Sequence, residues 1–124
     1  MSRVLVAHAC RFGRGRAMAD QLAARLRACG HEVEVADARG CRLPPPQDYD
    51  AVILGSRVKH GMHARPIREY VREWGPELET IPTEFFSVGL LGGVDAQAWK
   101  LADLVTVALA EHPHCELSPS YGPI

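Results

Sequence analysis

A loop rich in arginine and glycine follows the first apolar run of the sequence. The segment CRFGRG at 10–15 comes directly after VLVAHA, and an amphipathic stretch begins where it ends. A loop that joins a strand to a helix presents backbone N–H groups at the helix amino terminus, where the helix dipole also favours an anion. The pattern predicts a phosphate-binding loop, to which Arg11, Arg14 and Arg16 add positive charge.

The two glycines of this loop allow a first interpretation, a dinucleotide-binding fingerprint. Gly13 and Gly15 have the required spacing, and Asp37 follows roughly 20 residues later, where an acid would bind the ribose hydroxyls. The third glycine of the fingerprint is missing, and Gly13 comes well after the apolar run has ended. A lone G-x-G pair is a weak signal for this class of site.

A second interpretation is a cysteine-dependent phosphatase. Cys10 and Arg16 enclose five residues, so the amides between them would surround an oxyanion while Arg16 pairs with it and the Cys10 thiolate acts as nucleophile. This arrangement resembles the low-molecular-weight tyrosine phosphatases and arsenate reductases. Those enzymes have serine after the arginine, where this chain has Ala17, and they use an Asp-Pro pair that this chain lacks.

A third interpretation is a loop for the phosphate of flavin mononucleotide (FMN). Flavodoxins place Thr/Ser-x-x-Gly-x-Thr between the first strand and the first helix, and CRFGRG resembles that motif in its spacing and central glycine. Cys10 and Gly15 stand where the family has hydroxyl residues, so the amides and arginines would hold the phosphate instead. The FMN-binding residues predicted in this loop are Cys10, Arg11, Phe12, Gly13, Arg14 and Gly15.

Strand-like and helix-like segments alternate along the whole chain. Alternating or continuous apolar runs predict strands at 4–8, 31–37, 51–56, within 84–93 and within 114–122. Apolar residues three and four apart predict helices at 15–29, 66–74 and 95–111, and three prolines at 44–46 predict an irregular crossing loop. The alternation indicates one α/β domain, residues 1–124, with a parallel sheet and right-handed crossovers.

Four loops would meet at one edge of such a sheet. In open parallel sheets, ligands bind beyond the carboxyl ends of the strands. The loops at that edge, 9–16, 56–63, 89–93 and 119–122, are rich in glycine or small polar residues, which allow close approach of a ligand to the backbone. This edge is therefore the predicted binding site.

The middle of the chain, YDAVILGSRVKHGMHARPIREYVREWGPELETIPTEFFSVGLL, resembles the flavodoxin-domain family that contains the menaquinone-dependent protoporphyrinogen oxidase. The shared features, in order, are Tyr-Asp before an apolar strand that ends in Gly, a basic turn with Gly and His, an amphipathic helix, and a Pro-x-x-Phe-Phe-Ser-Val strand. The resemblance implies a flavodoxin-like open parallel sheet of order 2-1-3-4-5, flanked by helices and with the last helix missing. It also implies FMN as the cofactor.

The same resemblance implies where the isoalloxazine ring would lie, between SRVKHGMH and SVGLLGG. The residues predicted to contact the ring are Ser56, Arg57, Val58, Lys59, His60, Gly61, Gly89, Leu90, Leu91 and Gly92. The cofactor would carry the redox chemistry, and no side chain is assigned as a catalytic acid, base or metal ligand. The expected role is electron transfer or small-molecule oxidoreduction, with a redox partner or a small-molecule substrate. A non-catalytic interaction or regulatory module with a degenerate flavin site is the alternative.

The composition narrows the range of partners. The 14 Lys and Arg balance the 15 Asp and Glu, so we expect no nucleic-acid partner, and no apolar segment approaches the roughly 18 residues of a membrane span. Four separated cysteines without a Cys-x-x-Cys pair suit reduced thiols in the cytoplasm. The chain ends near the predicted fifth strand, and the resemblance implies that LLGGVDAQ replaces a longer insertion of the family, so one sheet face would be bare and either a homodimer or a covering partner is expected.

Overall fold

The computed structural model describes residues 2–9, 14–39, 42–59, 62–88 and 94–111. Its elements alternate between strand and helix, as the sequence predicted. In chain order they are β1 (Arg3–Ala9), α1 (Arg14–Ala28), β2 (Glu32–Asp37), a 3₁₀ turn (Pro46–Asp48), β3 (Ala51–Lys59), β4 (Met62–His63), α2 (Arg65–Leu78), β5 (Thr83–Val88) and α3 (Val94–Glu111).

Four parallel strands form the sheet in the order β2-β1-β3-β5, and β4 pairs antiparallel with the end of β3. This order confirms the prediction for the first four parallel strands. The predicted fifth strand, within 114–122, lies outside the described residues. The prediction that no helix follows this strand also falls on residues outside the described ranges. The last described element is α3.

The two central strands, β1 and β3, are covered on both faces. Every residue from Val4 to Ala7 and from Ala51 to Leu54 is fully buried. Val4 and Val6 pack toward α1 and α3, while Leu5 and Ala7 pack toward α2. Continuous apolar sequence is what a doubly covered strand requires, which is why the run AVILGS predicted a central position correctly.

Helix α1 packs on one face of the sheet and ends as the sequence predicted. Met18, Leu22 and Leu26, spaced four apart, are fully buried in the same cluster as Val4. Gly30 has a φ of 93°, in the left-handed region that glycine adopts without strain. The N–H of His31 donates to the carbonyl of Leu26, and the N–H of Gly30 to that of Arg27, which closes a Schellman motif.

Helix α2 extends further than the sequence predicted. Gly75 and Pro76 were expected to end the helix, but α2 kinks at Trp74 (φ −114°, ψ 17°) and continues to Leu78. Proline is tolerated in the first turn of a helix, so Pro76 can open a new turn after the kink. That turn buries Leu78 against the α2 side of the core, which explains why the helix resumes.

Directly after Ser56 the chain continues as strand and not as the predicted loop. The backbone of β3 continues through Arg57, Val58 and Lys59, and residues 58 and 59 pair with 63 and 62 of β4. Antiparallel pairing satisfies backbone groups that the end of a parallel strand would leave to solvent. Part of the predicted flavin-contacting loop is therefore regular strand.

Gly55 and Phe86 occupy neighbouring positions in the sheet. They are register partners in β3 and β5, and the Phe86 ring, only 4% exposed, lies over the Gly55 Cα. A Cβ added at Gly55 would overlap this ring. Glycine is therefore required here by packing, close to the carboxyl edge of the sheet.

We expect Gly55→Ala to lower the free energy of unfolding by about 1–3 kcal/mol, because the added methyl group must displace a buried aromatic ring. Urea denaturation of the two proteins measures the change. Gly75→Ala is the matched control, since a Cβ at Gly75 meets nothing within 4 Å, and its stability should be unchanged or slightly higher. Equal stability of wild type and Gly55→Ala would contradict the packing argument.

Ser56 joins the end of the sheet to the start of α2. Its side chain is fully buried, and its Oγ accepts a hydrogen bond of 3.0 Å from the N–H of Ala64. Ala64 is the N-cap of α2 and has no capping side chain of its own. Helix starts leave backbone N–H groups that need partners from outside the helix, and Ser56 supplies one.

Ser56→Ala should cost about 1 kcal/mol of unfolding free energy, because a partly buried N–H loses its acceptor. Chemical denaturation checks this value. Ser87→Ala removes the same atom from the register neighbour of Ser56 in β5, where the side chain is exposed, and should change stability by less than about 0.5 kcal/mol. A similar loss in both variants would show that the Ala64 contact is not the cause.

Candidate functional site

Three parallel strands lie side by side near the carboxyl edge of the sheet. Ala9 of β1 is the register partner of Ser56 of β3, and Ser56 is the register partner of Ser87 of β5. All three side chains are small; Ala9 and Ser56 are buried, and Ser87 is exposed. These three residues therefore lie side by side near the carboxyl ends of β1, β3 and β5, although β3 itself continues to Lys59.

The amino end of α1 lies beside this row. Its first turn, residues 14–17, has no acidic side chain, and Arg16 is exposed there. Positive charge at a helix amino terminus adds to the partial positive charge of the free N–H groups. The charge of the arginine and the partial charge of the N–H groups repel each other at this place. An anion bound next to the helix end would be attracted by both. Gly15, the last residue of the predicted loop, is buried in this turn.

A buried histidine lies beneath the first turns of α1. His8, the second-last residue of β1, is 3% exposed, and it continues the side of the strand on which Val4 and Val6 face α1. Burial lowers the pKa of its imidazole. The charge of Asp37 raises this pKa, that of Arg16 lowers it, and Asp20 and Arg39 add smaller effects in opposite directions. The imidazole is therefore neutral at pH 7.

Asp37 and Arg39 form an ion pair at the end of β2. Asp37 is the register partner of His8, and it accepts hydrogen bonds of 2.9 Å from the Arg39 guanidinium and 3.0 Å from the Arg39 N–H. Burial alone would raise the pKa of the Asp37 carboxyl, but the hydrogen bonds and charge of Arg39, with a contribution from His8, hold that pKa below its usual value. Asp37 is therefore ionised beside His8 and already has a partner, unlike a free ribose-binding acid.

Only part of the predicted site falls within the described residues. Ser56 lies in β3, three residues before the strand ends, and Gly15 lies in the first turn of α1. Of Arg14, Arg57, Val58 and Lys59 the structure describes the backbone, in α1 and β3. The predicted contacts that lie outside the described residues are Cys10, Arg11, Phe12, Gly13, His60, Gly61, Gly89, Leu90, Leu91 and Gly92.

Sequence reasoning missed His8 as part of this region. The prediction placed His8 inside the first strand, at 4–8, but it did not consider that the helix after the strand would cover this residue. The signal was available in principle, because His8 continues the period-two pattern of Val4 and Val6. Its neighbours Asp37 and Arg39 come from a different strand end, so only the sheet register reveals the cluster.

No metal site or membrane span is evident in the part of the chain that the structure describes. Across 2–9, 14–39, 42–59, 62–88 and 94–111, no three His, Cys, Asp or Glu side chains are grouped as a metal ion would need. Over those same ranges, no helix is both long and apolar enough to cross a membrane.

Acid should destabilise this protein partly through His8. Because burial lowers the pKa of the folded-state imidazole below its ordinary value of 6.5, the unfolded chain binds the proton more readily. The stabilising effect of neutral His8 is complete above about pH 6.5 and is lost as the pH falls toward the lowered value.

Between pH 7 and pH 5, we expect the unfolding free energy of His8→Gln to fall less than that of wild type, with a difference of at most about 1.4 kcal/mol per pH unit. Urea denaturation at several pH values measures it. His31 is a second histidine whose pKa is lowered by burial, and its ring forms a hydrogen bond with Thr106. The variant His31→Gln measures how much this residue contributes to the pH dependence of stability. Identical pH profiles for wild type and His8→Gln would contradict the prediction.

Comparison with known proteins identifies the family. The flavodoxin domain family model matches residues 5–112. Among curated proteins, the protoporphyrinogen IX dehydrogenase [quinone] of Escherichia coli (strain K12) is 28% identical over 89 residues, which are 72% of this chain and 49% of that protein. The same enzyme from two other strains of the species matches equally. This chain thus spans about half the length of the curated relatives that it matches.

Solved structures agree on the fold. A flavodoxin from the domain Archaea superposes with a TM-score of 0.65 at 10% identity, covering 84% of this chain and 96% of that one. The rubredoxin oxygen:oxidoreductase of the anaerobe Desulfovibrio gigas superposes with a TM-score of 0.70 at 15% identity, covering 89% of this chain and 36% of that one. With four parallel strands in flavodoxin-like order and a family match over most of its length, this chain belongs to the flavodoxin domain family.

Proposed function

We propose that this chain binds FMN at the carboxyl edge of its parallel sheet and acts in electron transfer or in oxidoreduction of a small molecule. The observation that carries the proposal is the row of Ala9, Ser56 and Ser87 beside the amino end of α1. Small side chains along the row suit a planar ring that lies against the backbone. The exposed Arg16, in a first turn without acids, suits a phosphate.

The phosphate end of the cofactor would be held by charge and by backbone amides. Free N–H groups at the start of α1 point toward an anion there, and the arginine of its first turn strengthens the attraction. The described residues at this end have no hydroxyl side chain. A phosphate held in this way depends more on ionic strength than one held by neutral hydroxyl donors, because charge–charge attraction is screened by salt.

The ring end would lie where β3 and β5 end. Bound flavin supplies the transfer of one or two electrons, and the protein has to bind it, orient it and shield one of its faces. Near this end, Phe86 of β5 packs on Gly55 of β3, and the last residues of β3 pair with β4. A redox partner or small-molecule substrate would approach along the same edge. This chain spans about half the length of its curated relatives. The proposal therefore does not include their dehydrogenase reaction.

The proposal predicts that the purified chain binds added FMN, with quenching of flavin fluorescence as the measurement. Arg16→Gln should raise the Kd about 5- to 10-fold, because it removes a charge at the phosphate end. It should also weaken the salt dependence of the Kd. Arg72→Gln, the control, removes the same charge from an exposed position two turns into α2 and should leave the Kd unchanged.

Two results would contradict the proposal in different ways. If FMN does not bind at any salt concentration, the flavin site is degenerate, and the non-catalytic interaction module becomes the better interpretation of the fold. If FMN binds but Arg16→Gln and Arg72→Gln behave alike, the phosphate is not held at the amino end of α1.

A further inference from the structure

His8 is a titratable group buried at the edge where FMN is proposed to bind. It lies at the carboxyl end of β1, one residue before the strand ends at Ala9, on the side of the strand where Val4 and Val6 pack toward α1 and α3. The charges of Arg16 and Asp20 of α1 act on it. Its imidazole is 3% exposed. A buried imidazole close to an anion site is positioned to change its charge when the anion arrives.

Four charged groups among the described residues act on this imidazole. Arg16 and Asp20 come from α1, Asp37 from β2, and Arg39 from the turn that follows β2. Two are positive and two are negative, and Asp37 is held by Arg39 at 2.9 Å. Asp37 and Asp20 raise the pKa of the imidazole and Arg16 and Arg39 lower it, but burial is the largest effect and keeps the imidazole neutral.

A phosphate dianion would change the charges that act on His8. At the amino end of α1 it would lie beside Arg16 and offset the positive charge that opposes protonation of His8. The acids Asp20 and Asp37 would then dominate the field, together with the dianion itself, and all of them favour the imidazolium. The proton would come from solvent, and no bond other than N–H is made or broken.

We propose that His8 takes up a proton when the FMN phosphate binds at the amino end of α1, so that a buried imidazolium acts as a counter-ion beneath the phosphate. This inference rests on the proposed FMN site and makes His8 a positioning residue of that site. In the phosphate loops that CRFGRG resembles, hydroxyl side chains help to bind the phosphate. Here the buried imidazolium of His8 would take over part of that role.

The pH dependence of FMN affinity tests the proposal. In wild type, the Kd should rise several-fold, and at most about tenfold, for each pH unit between pH 6.5 and 8, because one proton is bound together with the ligand. In His8→Gln the rise should be less than about twofold. Above pH 6.5 the phosphate itself is mostly a dianion, since its second pKa is about 6, and its ionisation affects all variants equally.

His31→Gln is the matched control. His31 is also a partly buried histidine with a lowered pKa, but it follows the opposite end of α1 and bonds Thr106. Its variant should keep the wild-type pH dependence. A second measurement uses wild type alone: in NMR titrations of the imidazole protons, saturation with FMN should raise the midpoint of His8 and leave that of His31 unchanged.

The outcomes separate this inference from the proposed function. FMN binding with the same pH dependence in wild type and His8→Gln, or an unmoved His8 midpoint in the saturated protein, overturns the role of His8 and leaves the FMN site standing. Absence of FMN binding to wild type at every pH overturns both. If His8→Gln does not fold, the midpoint measured in wild type decides the matter.

Discussion

Burial of β1 and β3 on both faces is the constraint on which the rest of this structure depends. A strand covered by helices on each side has no solvated face, so its side chains are apolar along most of its length. Polar chemistry is then confined to the strand ends, where the helices begin. The position of the candidate site follows from this exclusion, because the carboxyl edge is where the buried strands return to water.

The same constraint explains why a histidine in β1 matters. His8 lies at the limit of the doubly covered region, where α1 still shields it but charged groups already reach it. Two residues earlier, at Val6, an ionisable side chain would meet only the apolar cluster of α1 and α3. In the other direction, the last residue of β1 is Ala9. One position in β1 therefore combines burial with access to charge.

Much of the fold could be predicted from the sequence because local signals agree with the tertiary structure. The continuous run AVILGS predicted a central strand, and the four-residue spacing of Met18, Leu22 and Leu26, followed by Gly30, predicted α1 within a residue at each end. The predictions were wrong where tertiary contacts override a local signal. Pro76 is a stop in most helices but here opens a new turn that buries Leu78, and the segment after Ser56 pairs with β4 although its composition resembles a loop.

The candidate site was harder to predict than the fold. Its strand ends could be placed from the alternation of elements, but the His8, Asp37 and Arg39 cluster depends on the register between β1 and β2, which no local pattern encodes. The contacts expected at Cys10 to Gly13 and Gly89 to Gly92 lie outside the described residues and stay predictions.

The contact between Gly55 and Phe86 has a consequence for how sequences of this fold can vary. The ring occupies the volume that any side chain at position 55 would need. A substitution at one position is tolerated only with a compensating change at the other, such as a small residue in place of the phenylalanine. In relatives with the same packing at this edge of the sheet, we therefore expect the residues at these two positions to change together. Covariation of the two positions would reveal the contact, whereas conservation of either position alone would not.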